Sequence, residues 1–176
     1  KSLDTDGRVI YVGSFSKSIF PGQRLGYLVG APAFIREARA LRASVLRHPP
    51  GHIQRTAAYF LSLGHYDSLI RRIGRGYAER RSVIEEALAR HGLGVQGRGE
   101  FGGSSIWMRA PEHVDTTHLA AELQGKGVLI EPGAPFFGLQ NPPLHFYRLA
   151  YSSISSEDIP AGVALLAQAL SDYSGK

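Results

Sequence analysis

Cysteine is absent from the 176-residue sequence, and methionine and tryptophan occur once each. Without cysteine the chain can form neither a disulfide framework nor a thiolate zinc site, which fits a reducing cytosol. The longest apolar run, AGVALLAQAL (161–170), is too short to span a bilayer. No charged start followed by an apolar core and a small-residue cleavage site occurs. We therefore expect a cytoplasmic protein without a membrane partner.

A single basic tract is also lacking. The net charge is +5 and the sequence pI is near 9.7, but the arginines are spread over several predicted helices. Such a distribution favours solvated helix faces with a few anion sites over a nucleic-acid surface. The hydrophobic content of 43% and the charged content of 20% are typical of a globular chain.

Apolar periodicity alternates between strand and helix patterns, which predicts an α/β or α+β layout. Strand 8–13 is rich in β-branched residues, as in strands buried on both faces. The predicted strands are 8–13, 24–30, 102–110, 128–133 and 145–152, and the predicted helices are 31–47, 53–65, 66–92, 114–127 and 155–173.

The segment YVGSFSKSIFPGQRLGY (11–27) is the most informative part of the sequence. It joins two strands through a loop that holds Ser14, Ser16, Lys17 and Arg24. The hydroxyls and the guanidinium can hold a phosphate group. A lysine forms a Schiff base only as the free amine, which burial and a neighbouring cation both favour. This combination is what pyridoxal phosphate requires, whereas a solvated turn is the simpler alternative.

Two other nucleotide motifs fail, and no metal site is predicted. A phosphate-binding P-loop needs glycine immediately before the lysine and again five residues earlier, where this chain has Ser16 and Tyr11. GLGVQG (92–97) matches the dinucleotide pattern but follows a helix instead of a strand, so Gly92 is better interpreted as a helix stop. His113 and His118 do not share one helix face, and no carboxylate completes a ligand set.

The segment GSFSKSIFPGQRLGYLV resembles the lysine-containing segment of fold-type I pyridoxal-phosphate enzymes, the class I/II aminotransferases. It is most similar to the aminotransferase-like domain of MocR-type regulators of the GntR family. YAERR (77–81), GVLIEPGAPFF (127–137) and FYRLAYSSIS (146–155) also resemble that group. The likeness covers essentially the whole chain and implies the C-terminal part of the fold-type I fold.

The resemblance assigns roles to five residues. Lys17 matches the lysine that forms the Schiff base with pyridoxal 5'-phosphate, while Ser14, Arg24 and, less securely, Ser16 match phosphate ligands. Arg148 matches the arginine that binds the substrate carboxylate. Strand alternation agrees, because it puts Arg148 on one face with Phe146 and Ala150. An arginine in a structural salt bridge on an edge strand is the alternative.

The resemblance also implies a domain plan. Residues 1–65 would end the large cofactor domain, 66–92 would form a connecting helix, and 93–176 would form the small C-terminal domain. The aspartate, the stacking aromatic ring and the phenolic-oxygen partner of such sites would come from sequence before Lys1. The implied protein is a homodimeric regulator that senses an amino acid or amine as its external aldimine. It would bind DNA through an N-terminal domain absent here.

Two alternatives to a regulator are a genuine amino-acid aminotransferase and a structural domain that binds no cofactor.

Overall fold

The computed structural model describes residues 3–96 and 103–174. The helices are α1 (Pro32–Val45), α2 (Gly51–Ser62), α3 (His65–Arg90), α4 (Thr116–Gly125) and α5 (Ile159–Ser174). The strands are β1 (Tyr11–Ser14), β2 (Gly26–Val29), β3 (Ser105–Arg109), β4 (Glu131–Pro132) and β5 (Phe146–Ala150). Short 3-10 helices occupy Pro21–Gln23 and Ala134–Phe136. Each predicted strand and helix is present, although most are shorter than predicted.

The chain divides into two compact units, and the division falls between Arg72 and Ile73 within α3. The first unit contains an antiparallel hairpin of β1 and β2, followed by α1 and α2. The second contains most of α3 and all later elements. The finer assignment of a large domain, a connecting helix and a small domain stays a prediction.

The prediction that the first strand is buried on both faces is wrong for this chain. Val12 keeps 71% of its surface exposed, and all four residues of β2 are exposed. The physical reason is that the hairpin has only two strands, so no further strand in the described residues flanks it. β-Branched composition indicates a strand but does not tell which neighbours cover it.

The second unit holds an antiparallel three-stranded sheet in the order β3-β5-β4. Side chains alternate along β5, so that Tyr147 and Leu149 are buried while Phe146 and Arg148 are half-buried on the other face. The register places Arg148 opposite Trp107 of β3 and opposite Glu131 of β4. This pairing decides what surrounds the candidate carboxylate-binding arginine.

The hydrophobic core lies on the Tyr147 side of this sheet. It is built from α3, α4, α5 and the inward residues of β3 and β5. Burial raises the pKa of the Tyr147 phenol, which therefore stays neutral. The largest fully buried side chains of the core are those of Leu88, Met108, Leu119, Leu123, Tyr147, Tyr151 and Leu166. The core fixes the orientation of β5, and with it the direction in which Arg148 points.

Two helix boundaries follow the sequence signals. Asp115 caps α4, since its carboxylate accepts a hydrogen bond of 2.8 Å from the backbone N–H of Thr117. Gly92 follows α3 with φ of 67°, and the N–H of Leu93 returns to the carbonyl of Leu88. The dinucleotide-like segment therefore begins as a helix stop, and its last residue, 97, lies outside the described residues. No helix among the described residues is long and apolar enough to span a bilayer.

Candidate functional site

The loop that carries Lys17 is closed by the hairpin. Ser14 pairs with Gly26 in the β1–β2 register, and the N–H of Phe15 donates to the carbonyl of Leu25 over 3.0 Å. Residues 15–25 therefore leave and re-enter the hairpin at the same end. As a result, the four residues assigned to the cofactor site lie at this end of the hairpin or on its loop: Ser14, Ser16, Lys17 and Arg24.

Gly26 is required by the close approach of the two strands. A Cβ atom built on Gly26 would lie 2.7 Å from the carbonyl oxygen of Gly13. Only glycine avoids that contact without a backbone shift. The sequence thus fixes the end of the hairpin at the point where the lysine loop begins.

Local hydrogen bonds shape the loop around Lys17. The Ser14 hydroxyl oxygen accepts from the backbone N–H of Ser16 over 3.2 Å, and its own O–H remains able to donate elsewhere. The N–H of Ile19 donates to the carbonyl of Phe15 over 2.8 Å, which closes one helical turn around Lys17. The lysine is therefore carried by an ordered turn.

Arg24 adopts an unusual backbone conformation for a residue with a side chain. It follows the 3-10 helix Pro21–Gln23 with φ of 47° and ψ of 37°, in the left-handed region. This region costs a non-glycine residue about 1–2 kcal/mol. Such strain tends to persist where a side chain is needed for function.

The strand that precedes Lys17 is not buried on both faces as expected, and both Lys17 and Arg24 are themselves exposed. Neither has a hydrogen bond or an ion pair among the described residues. The exposure follows from the uncovered hairpin.

Two polar atoms of the same loop are buried without a partner. The Ser18 hydroxyl and the side-chain oxygen Oε1 of Gln23 have no hydrogen bond among the described residues. Gln23 is only 4% exposed. Buried polar atoms are nearly always paired, so these two atoms are available to a hydrogen-bonding group from outside the described residues.

Arg148 lies on the central strand of its sheet, so the edge-strand alternative is wrong. The part of that alternative that proposed a salt bridge is correct, because the Nε of Arg148 donates to the carboxylate of Glu131 on β4. Glu131 was missed because its pairing depends on strand register, which no local pattern reveals.

Trp107 lies beside Arg148 and outside the buried core. It is half-buried on the Arg148 face of the sheet and stacks on Phe146 with ring centroids 6.0 Å apart. Phe136 and Phe137, in the loop that follows β4, also contact Trp107. The guanidinium carbon of Arg148 lies 5.3 Å from the centre of the Phe136 ring. Four aromatic rings thus form a wall beside Arg148.

No cluster of metal-ligating side chains occurs in residues 3–96 or 103–174. His118 lies 3.8 Å from the carboxylate of Asp115 at the start of α4. The hydrogen bond from the Thr117 N–H holds the pKa of Asp115 below its usual range. These groups therefore serve the helix terminus.

Comparison with known proteins places the chain among relatives of two kinds. It is 58% identical over 97% of its length to the HTH-type transcriptional regulator TauR of Rhodobacter capsulatus, and it covers 35% of that protein. It is 32% identical over its whole length to aromatic-amino-acid aminotransferase 1 of Thermococcus litoralis, of which it covers 42%. The chain thus spans between a third and a half of these relatives' length.

The fold matches solved aminotransferases. Kynurenine aminotransferase of Pyrococcus horikoshii superposes with a TM-score of 0.85 and 29% identity, over 98% of this chain and 43% of that one. The expectation of the C-terminal part of the fold-type I fold is confirmed, and so is the resemblance to MocR-type regulators. The sequence model of the family described as aminotransferase class I and II matches residues 2–165. The chain belongs to the aminotransferase class I and II family.

Proposed function

We propose that this chain is part of the effector-sensing domain of a MocR/GntR-type transcriptional regulator. In this proposal Lys17 holds pyridoxal 5'-phosphate and Arg148 binds the carboxylate of an amino compound. The observation that carries the proposal is the 58% identity, over 97% of the chain, to an HTH-type transcriptional regulator. A homodimeric, cytoplasmic protein that binds DNA through another domain completes the proposal.

The residues at the end of the hairpin fit the cofactor's phosphate. The hydroxyls of Ser14 and Ser16 can donate to phosphate oxygens, and the Arg24 guanidinium adds charge-assisted hydrogen bonds worth about 1.5–3 kcal/mol each. The unpaired hydroxyl of Ser18 and the strained backbone of Arg24 support a bound group at this loop. When bound, the cofactor supplies an aldehyde that reacts with amines.

Lys17 suits covalent attachment because it lies on the same short turn as the phosphate ligands. The turn 15–19 fixes its backbone, and no carboxylate among the described residues pairs with its ammonium group. If pyridoxal phosphate binds here, Lys17 would be the residue that holds it covalently, and the cofactor would supply the aldehyde for that bond.

Arg148 suits a carboxylate ligand because its two η nitrogens have no hydrogen-bond partner in residues 3–96 and 103–174. A planar guanidinium binds a carboxylate through two parallel hydrogen bonds. The Phe136 ring lies beside the guanidinium, with its centre 5.3 Å from the guanidinium carbon, and Trp107 packs against Phe136.

A genuine amino-acid aminotransferase is the second candidate. It is favoured by the match of the whole chain, at 32% identity, to an aromatic-amino-acid aminotransferase. Both candidates use Lys17 and Arg148 in the same way. They differ in whether the whole protein turns over an amino acid with a keto acid acceptor.

The test uses the whole protein that contains this chain. Its binding to DNA fragments from its own promoter region is measured with and without a panel of amino compounds, alongside steady-state transamination. If the protein is a regulator, we expect one amino compound to change its affinity for DNA at least tenfold, while its transamination turnover stays negligible. Sustained turnover with no effect on DNA binding would favour the enzyme and contradict the regulator.

Arg148→Ala should abolish the response to the amino compound and leave the cofactor's visible absorption in place. Arg90→Ala is the matched control, since Arg90 is an exposed arginine in an ion pair with Glu86 on α3. Equal loss of cofactor and response in the Arg148 variant would contradict the carboxylate role.

A further inference from the structure

Glu131 gives the Arg148 site a fixed negative charge. The register places the two residues directly opposite each other on β4 and β5. The carboxylate of Glu131 accepts from the Nε of Arg148, which leaves the opposite edge of the guanidinium open. The site therefore combines one cation and one anion, and its net charge is zero.

The pair is accessible to a ligand. The side chains of Arg148 and Glu131 remain 38% and 51% exposed. Ion pairs with that much exposure add little to stability, so stability alone does not explain an acidic residue at this position. The pair lies beside the aromatic rings of Phe136 and Trp107 and can be reached from the solvent.

Glu131 and a carboxylate bound at the η nitrogens would share one guanidinium. A ligand with one carboxylate can bind beside Glu131 when the ligand's own ammonium group offsets the negative charge of that carboxylate. A second carboxylate on a small ligand has no such offset and lies within a Debye length of about 10 Å from Glu131 at 0.1 M salt. Repulsion from Glu131 therefore weakens the binding of ligands that carry a net negative charge.

We propose that Glu131 is the specificity-determining residue that makes the Arg148 site accept net-neutral amino acids and reject dicarboxylic ones. This inference rests on the proposed role of Arg148 as the carboxylate ligand. In this inference, the selectivity between net-neutral and dicarboxylic amino acids comes from Glu131, which contacts Arg148, and not from the loop that carries Lys17.

The test compares L-glutamine with L-glutamate, which have nearly the same shape and differ by one charge. Both are titrated into the cofactor-free whole protein at low ionic strength, and the fluorescence of Trp107 is followed. Trp107→Phe identifies the source of the signal, because Trp107 is the single tryptophan of this chain. Without the cofactor, the binding of both probes is non-covalent.

The wild-type protein should bind L-glutamine more tightly than L-glutamate. Glu131→Gln keeps the shape and removes the charge, so it should narrow the preference for L-glutamine by about two- to fivefold, which corresponds to the repulsion of two like charges about 10 to 4 Å apart in bulk water. The narrowing should shrink as salt is added. Glu86→Gln, an exposed glutamate paired with Arg90, should leave the preference unchanged.

Three results would overturn the inference: no wild-type preference for L-glutamine, no binding of either probe, or an equal gain for both probes in Glu131→Gln. Failure of the proposed function is seen separately, as loss of the cofactor adduct at Lys17 in the whole protein. A selectivity shift without that adduct would keep the role of Glu131 and reject the cofactor assignment.

Discussion

Arg24 shows at the level of one residue how stability and function can be separated. Its left-handed conformation, with φ of 47°, favours glycine, whereas its guanidinium is assigned to the cofactor phosphate. Arg24→Gly should therefore leave the free energy of unfolding of the cofactor-free protein within about 1 kcal/mol of wild type. Its cofactor affinity should fall roughly tenfold to 100-fold.

Arg47 provides the control for this prediction, because it is the other described arginine with a positive φ, 56°. Arg47→Gly should have the same small effect on unfolding and no effect on cofactor affinity. Equilibrium urea unfolding and titration with pyridoxal phosphate measure the two quantities. Equal cofactor affinity in both variants would remove Arg24 from the phosphate site.

Gly133 shows at the level of an element how the sheet positions the ligand site. Its N–H donates to the carbonyl of Phe146 over 2.7 Å, and a Cβ atom there would lie 2.5 Å from that carbonyl oxygen. Gly133→Ala should push β4 away from β5, cost about 1–3 kcal/mol in unfolding free energy and weaken carboxylate binding at Arg148. Urea unfolding and ligand titration give both values.

Gly138 is the matched control on the same loop, since a Cβ atom there would meet nothing within 4 Å. Gly138→Ala should change the unfolding free energy by no more than about 0.5 kcal/mol. A cost as large as that of Gly133→Ala would show that the loop, and not the β4–β5 contact, is the sensitive feature.

The cap of α4 makes a pH-dependent contribution. The pKa of Asp115 is lowered in the folded state because its carboxylate accepts from the Thr117 N–H. The stabilisation is therefore present above the unfolded pKa, about 3.9, and is lost as the pH falls through the lower folded value.

Asp115→Ala should cost about 1 kcal/mol at pH 7 and progressively less as the solution is acidified. Asp115→Asn keeps the cap without a titrating group, so its stability relative to Asp115→Ala should not change with pH. Urea unfolding at several pH values measures both. A constant cost of Asp115→Ala down to pH 2 would contradict the assignment.

Elements could be predicted where the signal is local. The cap at Asp115, the stop at Gly92 and the alternation that exposes Arg148 all follow from short patterns. The covering of β1 and the partner of Arg148 could not be predicted, because each depends on which strands become neighbours. A pattern of period two tells which face a residue takes but not what lies across from it.

At the scale of the whole molecule, the first unit exposes much apolar surface while the second is closed around its core. Among the described residues of the first unit, 3–72, only Gln23 and Ala57 are buried. Its exposed apolar residues include Tyr11, Val12, Tyr27, Leu28, Val29, Leu41, Val45 and Leu46. Exposed apolar residues in such number are typical of an interaction face. We expect the remainder of the longer protein to cover this surface, and Lys17 with it.

The proposed attachment of pyridoxal phosphate to Lys17 can be measured in the whole protein. Pyridoxal phosphate is added, the adduct is fixed with borohydride, and mass spectrometry locates the modified lysine. We predict modification at Lys17, its loss in Lys17→Ala and its retention in Lys126→Ala, which removes an exposed lysine paired with Glu122. Modification that persists in Lys17→Ala, or that falls equally on Lys126, would contradict the account.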